Sequence, residues 1–172
     1  MDSRRADFEH FVADSTDALL RTAFLIVWDL PEAEDIVQET LIEVARRWPR
    51  VRRMEHPGAY ARRILVNRAL KGAARRARAR HELTGETPIE LADEGASAHA
   101  IDTHDELMRA LAALPPRQRA VLVLRYFLDL PEAEVAAAMK CSLGTVKSTA
   151  SRGLARLEQA MRPSNDTRSI AT

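Results

Sequence analysis

The sequence has little cysteine and few aromatic residues, and it has no long apolar run. Its single cysteine, Cys141, excludes an internal disulfide framework and any cysteine-rich zinc module. No uncharged stretch reaches the roughly 18 residues that a membrane span needs, and no apolar signal core follows Met1. These absences predict a cytoplasmic protein without a membrane partner.

The chain also lacks the residue arrangements that enzymes and metal proteins need. Its five histidines show no metal-ligand spacing, and neither a glycine-rich phosphate loop nor a nucleophile elbow occurs. Asp35 and Glu39 are one helical turn apart, but a solvent-facing carboxylate pair without a partner base is typical of an ordinary charged face. We therefore expect no enzyme, no catalytic residue, no metal and no cofactor.

What the chain does contain is helical periodicity. Its 172 residues, 46% of them hydrophobic, suffice for one ordinary domain or two small ones. Apolar residues recur at helical spacing, and no window alternates apolar with polar residues, so the predicted fold class is all-α. Helices are predicted at 32–48, from about 57 to about 80, at 105–114, from 116, at 131–139 and at 143–161.

Residues 81–105 lose this periodicity. They are acidic, contain small residues, and are punctuated by glycine, proline and serine, which is typical of a flexible interdomain linker. The predicted organisation is therefore two small helical domains joined by an acidic linker. The boundaries are a first domain at 8–80, the linker at 81–105, a second domain at 106–162 and a tail at 163–172.

One hexapeptide occurs twice, Asp-Leu-Pro-Glu-Ala-Glu at 29–34 and again at 129–134. The flanking residues do not match, so we interpret it as one helix-start sequence used twice, with acids near the positive end of the helix dipole.

The net charge of +1 conceals a strong segregation of charge along the chain. Residues 1–45 hold three basic and eleven acidic side chains, whereas residues 46–80 hold thirteen basic side chains and one acid. Residues 81–106 then hold eight acids and neither lysine nor arginine. This pattern indicates a polyanion site on one part of the protein and a different partner surface on another.

The strongest local motif lies between Pro131 and Arg152. A short alanine-rich helix, a tight turn at Lys140-Cys141, an N-cap at Ser142 and a second helix form a helix-turn-helix pattern. An ordinary solvated helix pair is the alternative, but hydroxyls and cations interleaved on one narrow face favour DNA binding. That face carries Gly144, Thr145, Ser148, Ser151, Arg152 and Arg156, with Lys147 on its flank. The predicted apolar face of the same helix carries Leu143, Val146, Ala150, Gly153, Leu154 and Leu157.

A second signal is the basic helix at 57–80, which has eight cations and no acid. A solvated helix normally mixes glutamate among its cations, so this composition favours phosphate binding. Tyr60 and Asn67 have the chemistry to stack on or hydrogen-bond an unpaired base, with core or cap roles as the alternative.

A third signal lies on the helix at 32–48. Its face opposite the apolar stripe carries Asp35, Gln38 and Glu39, with Ile42 in their midst. A lone exposed isoleucine is common, but one ringed by acids and an amide is also typical of the apolar centre of a protein-binding patch.

Taken together, these motifs strongly resemble those of bacterial sigma factors, most closely the compact extracytoplasmic-function group and its actinobacterial SigE-like branch. The resemblance rests on four segments in order and covers roughly residues 8–162. They are Ala33-Glu-Asp-Ile-Val-Gln-Glu-Thr-Leu with Trp48, the cation-rich helix with Asn67, Leu114-Pro-Pro-Arg-Gln-Arg-Ala-Val-Leu, and the helix-turn-helix.

The resemblance implies a function for each segment. The helix at 32–48 would dock on the clamp coiled coil of RNA polymerase core through Asp35, Gln38, Glu39 and Ile42. The linker would run toward the RNA exit channel, and an anti-sigma factor becomes a candidate partner.

The resemblance also implies which helices bind promoter DNA. The basic helix would read the −10 element, with Arg63 and Asn67 at the matching positions. The full predicted set for this element is Tyr60, Arg63, Asn67, Arg68, Lys71, Arg75 and Arg76. The second helix of the helix-turn-helix would read the −35 element through Thr145, Lys147, Ser148, Ser151 and Arg152.

Three residues depart from the family pattern. Lys140 stands where glycine is frequent, so the turn must accommodate a side chain at a position that favours positive φ. Thr149 and Lys71 replace a frequent arginine and a frequent acid, which changes the expected DNA contacts.

Two other functions remain open on the residues alone. A stand-alone DNA-binding regulator would explain the helix-turn-helix and the basic helix but not the face around Ile42. A helical protein–protein adaptor would explain that face and little else.

Overall fold

The computed structural model describes residues 3–84 and 103–162, and within these ranges the chain is helical without a β-strand. The predicted all-α fold class is therefore confirmed. The helices are α1 (Ser3–Val27), α2 (Leu30–Arg46), the short α3 (Trp48–Val51), α4 (Pro57–Thr84), α5 (Thr103–Ala112), α6 (Pro116–Leu122), α7 (Glu132–Met139) and α8 (Leu143–Ala160). A π-helical turn, Val123–Phe127, continues α6.

Helices α1 to α4 pack into the N-terminal domain. Ile26, Val44 and Leu65 are fully or almost fully buried where α1, α2 and α4 meet. Trp48 packs its ring against Phe8 and Phe11 of α1, with ring centroids 5.3 and 5.1 Å apart, and its indole N–H donates to the carbonyl of Arg4. Helix α2 ends at Arg46, two residues before the predicted end at residue 48. Trp48 and Pro49 instead begin the separate short helix α3.

Helices α5 to α8 form the C-terminal domain. Helix α6 packs against α8, and their closest approach is at Gly153, where an added Cβ would lie 3.1 Å from Leu122 Cδ1. Glycine at this position allows the two helices to pack closely around Val121 and Val146. The result is a compact support for the exposed side of α8.

The two copies of the repeated hexapeptide do not start their helices in the same way. Asp29 is extended and caps α2, its carboxylate accepting the Glu32 N–H at 2.8 Å. Asp129 instead has φ of 50°, and α7 begins only at Glu132. Both copies start a helix with acids in its first turn, as predicted, Glu32 in α2 and Glu132 with Glu134 in α7, but the caps of the two helices differ. The N–H of Leu130 donates to the carbonyl of Leu124, so the preceding π-helical turn fixes the backbone of the second copy.

The two domains contact each other through α4 with α7 and through α1 with α6. Helix α4 continues to Thr84 and α5 starts at Thr103, so both ends of the predicted linker are helical. The rest of that linker and the predicted tail from 163 lie outside the described residues.

Candidate nucleic-acid interface

Helix α2 presents its predicted docking face to solvent. Its apolar stripe is buried, with Ile36, Val37 and Val44 at most 7% exposed, whereas Ile42 is 52% exposed. The side chains of Asp35, Gln38 and Glu39 lie exposed around Ile42. The predicted amphipathic arrangement is present, and we call these four residues the docking face.

Apart from Asn67, the predicted DNA-binding residues of α4 fall into two groups. Helix α4 buries Ala61, Leu65 and Ala69 and turns its cations outward. Tyr60, Arg68 and Arg76 are held by residues of α2 or its C-terminal end. Arg63, Lys71 and Arg75 have exposed side chains with no ion-pair partner within the described ranges.

The held residues are tied to particular partners. Arg68 binds two carboxylates, Glu39 Oε2 at 2.5 Å and Glu43 Oε2 at 2.9 Å. Arg76 forms an ion pair with Glu32, and the Tyr60 hydroxyl accepts a hydrogen bond from Arg47 at 2.9 Å. Salt bridges between α2 and α4 therefore occupy part of the cationic set that the sequence assigned to DNA.

Asn67 lies at the contact between the two domains. Its amide nitrogen donates to the carbonyl of Arg63 at 2.6 Å and to the carbonyl of Ala138 in α7 at 2.9 Å. Arg63 lines a shallow groove there together with Lys140 and Cys141 of the helix-turn-helix. In this arrangement α7 covers part of the α4 face on which Asn67 lies.

The sequence analysis also missed a buried arginine in α6, a helix that contacts α1 and α4. Arg119 of α6 is 8% exposed, its guanidinium donates to the carbonyl of Ala112, and its Nε has no hydrogen-bond partner within the described residues. Burial, and more weakly the positive charge of Arg76, lower the pKa of Arg119 to about 10. Periodicity places this residue on a helix but does not indicate a charge among apolar neighbours.

The turn of the helix-turn-helix has the backbone that the sequence predicted. Lys140 is in the left-handed region at φ 51° and ψ 51°, which confirms the positive φ that the sequence analysis expected at this turn. The N–H of Cys141 donates to the carbonyl of Ala136 at 3.1 Å, a bond typical of a helix end with a left-handed residue. Ser142 then caps α8, its Oγ accepting the Thr145 N–H at 3.1 Å.

The five predicted base-facing or phosphate-facing residues of α8 are all exposed. Arg152 Nε donates to the carbonyl of Ser148 at 3.3 Å, and Lys147 Nζ lies 3.7 Å from a carboxylate oxygen of Glu132. Both side chains are nevertheless exposed to solvent. The remaining members of this exposed face are Thr145, Ser148 and Ser151.

The buried side of α8 differs in part from the predicted one. Val146, Ala150 and Gly153 pack inward as expected, and Thr149 joins them at 6% exposed. Leu143 and Leu154, which the periodicity placed on the apolar face, are 49% and 43% exposed.

The sequence analysis also missed an exposed aromatic pair on the π-helical turn. Tyr126 and Phe127 are 53% and 44% exposed, and the guanidinium of Arg125 lies 5.5 Å from the centre of the Tyr126 ring. A five-residue hydrogen-bonding turn shifts these side chains out of helical register, so periodicity assigns no face to them.

Within the described ranges no helix is long and apolar enough to span a bilayer. Among the same residues, no group of three or more histidine, cysteine or acidic side chains is arranged to hold a metal ion.

Comparison with known proteins identifies both domains. Residues 11–80 match the family model for Sigma-70 region 2, and residues 104–157 match Sigma-70, region 4. The RNA polymerase sigma-E factor of Streptomyces avermitilis is 37% identical over 156 residues, which cover 90% of this chain and 85% of that protein. The sigma-E factor of Streptomyces coelicolor has the same identity over the same length, covering 86% of that protein.

Two further comparisons extend this similarity. The ECF RNA polymerase sigma factor SigG of Mycobacterium tuberculosis is 31% identical over 188 residues, covering 95% of this chain and 50% of that protein. The solved structure of the sigma factor RpoE from Bartonella quintana, in complex with the anti-sigma factor NepR, superposes with a TM-score of 0.69 at 25% identity. That superposition covers 92% of this chain and 98% of the solved one. The chain therefore belongs to the sigma-70 family, in its extracytoplasmic-function group, and is an alternative sigma factor that directs promoter-specific transcription.

Proposed function

We propose that this sigma factor docks on RNA polymerase core through the docking face of α2, that is Asp35, Gln38, Glu39 and Ile42. The observation that supports the assignment is an apolar side chain, 52% exposed, ringed by polar residues on a helix whose opposite side is buried. This is the composition of a protein interface with an apolar centre and a polar rim.

The −10 element is assigned to α4 and the −35 element to α8. On α4, Asn67 and Tyr60 would contact bases exposed on strand opening, and Arg63, Lys71, Arg75 and Arg76 would contact phosphates. On α8, Ser148 and Arg152 would reach base edges in the major groove, flanked by Thr145, Lys147 and Ser151. Domain boundaries at 8–80 and 106–162 accompany this division.

The protein on this proposal catalyses no reaction itself and acts in the cytoplasm beside polymerase and chromosome. An anti-sigma factor is a further candidate partner, because the similar RpoE was solved in complex with the anti-sigma factor NepR. Such a partner would co-purify with the chain from its host in a complex that lacks polymerase core.

The proposal is tested by adding the purified chain to polymerase core and transcribing genomic fragments of the host. We expect a complex that co-elutes with core and initiates at a defined subset of promoters. A stand-alone regulator would bind the same fragments without co-eluting with core, and this result would overturn the docking assignment. Transcription from every fragment alike would overturn the promoter-reading assignment.

A further inference from the structure

One arginine of α4 is held between two acids of α2. The guanidinium of Arg68 contacts Glu39 through Nη1 at 2.5 Å and Glu43 through Nη2 at 2.9 Å. Glu39 and Glu43 lie one turn apart on α2, so without the arginine their like charges would repel each other. The side chains of Arg68 and Glu43 are 34% and 28% exposed, which protects their pair from solvent better than a surface ion pair, whereas Glu39 is 60% exposed.

The same acid begins a second connection between the helices. The other carboxylate oxygen of Glu43 lies 3.4 Å from Arg47 Nη1, and the same nitrogen donates to the Tyr60 hydroxyl at 2.9 Å. Helix α4 is thus tied to α2 near its start and again two turns later, at Arg68. A continuous polar network runs from Glu39 on the docking face to Tyr60 on the proposed base-reading side.

Arg68 is poorly suited to bind a DNA phosphate in this arrangement. Two carboxylates already accept from its guanidinium, and the three charges sum to one negative charge. To reach a phosphate it would have to leave both acids and expose them to a polyanion. Arg75 of the same helix is exposed and has no ion-pair partner within the described residues, so it meets no such obstacle.

We propose that Arg68 is a positioning residue, which fixes the register of the −10-reading helix α4 against the core-docking helix α2 through Glu39 and Glu43. Arg68 itself touches no base or phosphate. Arg68 fixes the positions of its neighbour Asn67 and of Tyr60 relative to α2 when α2 is bound to polymerase core. The inference rests on the proposed assignments of α2 and α4.

The test measures −10 discrimination by the holoenzyme of polymerase core and this chain. The first template is a promoter that the wild-type holoenzyme selects from genomic fragments. The other templates are the same promoter with single-base substitutions in its −10 element. The readout is the ratio of transcripts from the original and the substituted template. Partial unfolding would lower both transcripts by one factor and leave this ratio unchanged, so the ratio separates positioning from stability.

We expect Arg68→Ala to lower the ratio about tenfold, an effect equivalent to about 1.4 kcal/mol. Arg68→Lys replaces the guanidinium, which can donate to both acids at once, by a single ammonium group. This variant should retain only part of the wild-type transcript ratio. The charge exchange Arg68→Glu with Glu43→Arg should recover more of the ratio than Arg68→Glu alone. Arg75→Ala is the matched control, and we expect it to lower both transcripts without changing the ratio.

Salt dependence supplies the second readout. Loss of a phosphate contact flattens the dependence of log affinity on log salt by about 0.9. We expect this change for Arg75→Ala and none for Arg68→Ala. An unchanged ratio with a flattened slope in Arg68→Ala would overturn the proposal and make Arg68 a phosphate ligand. Absence of promoter-selective transcription by the wild type would instead overturn the proposed function.

Discussion

Ile42 is the side chain on which the core-docking proposal depends most directly. Replacing Ile42 with glutamate places a charge at the centre of the docking face, and we expect core affinity to weaken by about 1–3 kcal/mol. Leu30→Glu is the matched control, because Leu30 is a similarly exposed leucine at the start of the same helix. Affinity is measured by titrating labelled chain with core. Equal losses in both variants would show that general acidity, not the docking face, controls binding.

Arg119 allows a stability prediction with a defined pH dependence. Folding lowers its pKa to about 10, so the unfolded chain holds this proton more tightly. The unfolding free energy contributed by Arg119 therefore falls as pH drops from its usual pKa to about 10, and it stays constant at lower pH. At neutral pH the full penalty of a buried, poorly paired charge is present.

Arg119→Met should consequently raise the unfolding free energy by about 1–4 kcal/mol, the range known for replacing buried charges by apolar groups. Urea unfolding measures the gain, which should be equal at about pH 6 and about pH 8. The exposed neighbour Arg117 provides the control Arg117→Met, which should change stability little. Destabilisation by Arg119→Met alone would mean that the bond to Ala112 outweighs the burial of the charge.

Among the elements, the turn between α7 and α8 contains a residue under conformational strain. Lys140 has φ of 51°, which glycine adopts more readily than a residue with a side chain. Lys140→Gly should raise the unfolding free energy by about 0.5–1 kcal/mol, because relief of this strain exceeds the added freedom of the unfolded chain. Ala137→Gly in the preceding helix should lower it by about 1 kcal/mol. Thermal unfolding of both variants compares the opposite signs directly.

The recognition helix α8 offers a prediction about specificity. Arg152 and Lys147 are exposed on a helix that packs through Val146 and Ala150, so neither should affect folding. Arg152→Ala should reduce −35-dependent transcription roughly 5- to 100-fold and relax selectivity at one position. Lys147→Ala should weaken all −35 variants uniformly, as loss of a phosphate contact does. Run-off transcription on single −35 substitutions measures both, and a wild-type profile for Arg152→Ala would exclude base reading by this residue.

The sequence predicted the helices well where periodicity and caps determine them. Ser142 follows the rules for an N-cap, and the left-handed Lys140 agrees with what the family resemblance implied for this turn. The π-helical turn was not predictable, because its hydrogen-bond shift has no residue signature. The different cap of the second hexapeptide copy was not predictable for the same reason, since the turn before Asp129 sets its backbone.

The candidate site was predictable as a set of exposed residues but not as a set of contacts. The pattern around Ile42 correctly placed the docking face in solvent. It did not indicate that Arg68 binds Glu39 and Glu43, or that Asn67 bonds to Ala138, 71 residues away in sequence. Such pairs depend on the angles at which the helices cross. These angles cannot be predicted from the composition and residue spacing of one sequence.

Considered as one body, the free protein holds its two domains against each other at Asn67. For Asn67 to reach a base, α4 and α7 must separate, so we expect the domains to part in the complex with core and promoter DNA. Nitroxide labels on Arg62→Cys in α4 and Ala137→Cys in α7 report the distance between these helices by pulsed electron paramagnetic resonance. Cys141→Ser removes the native cysteine, which would otherwise be labelled too. The distance should lengthen in the complex, whereas the control pair Asp14→Cys and Arg62→Cys within one domain should not change. Equal distances in both states would contradict the separation.

On the proposed assignment of Asn67 to the −10 element, its bond to Ala138 makes α7 a competitor of DNA within the same chain. Its effective concentration is set by the covalent connection between the domains and is independent of how much protein is present. The apparent dissociation constant for DNA then rises by the inverse of the open fraction. A molecule that binds only the open arrangement removes this competition, whereas a higher cellular level of the protein does not.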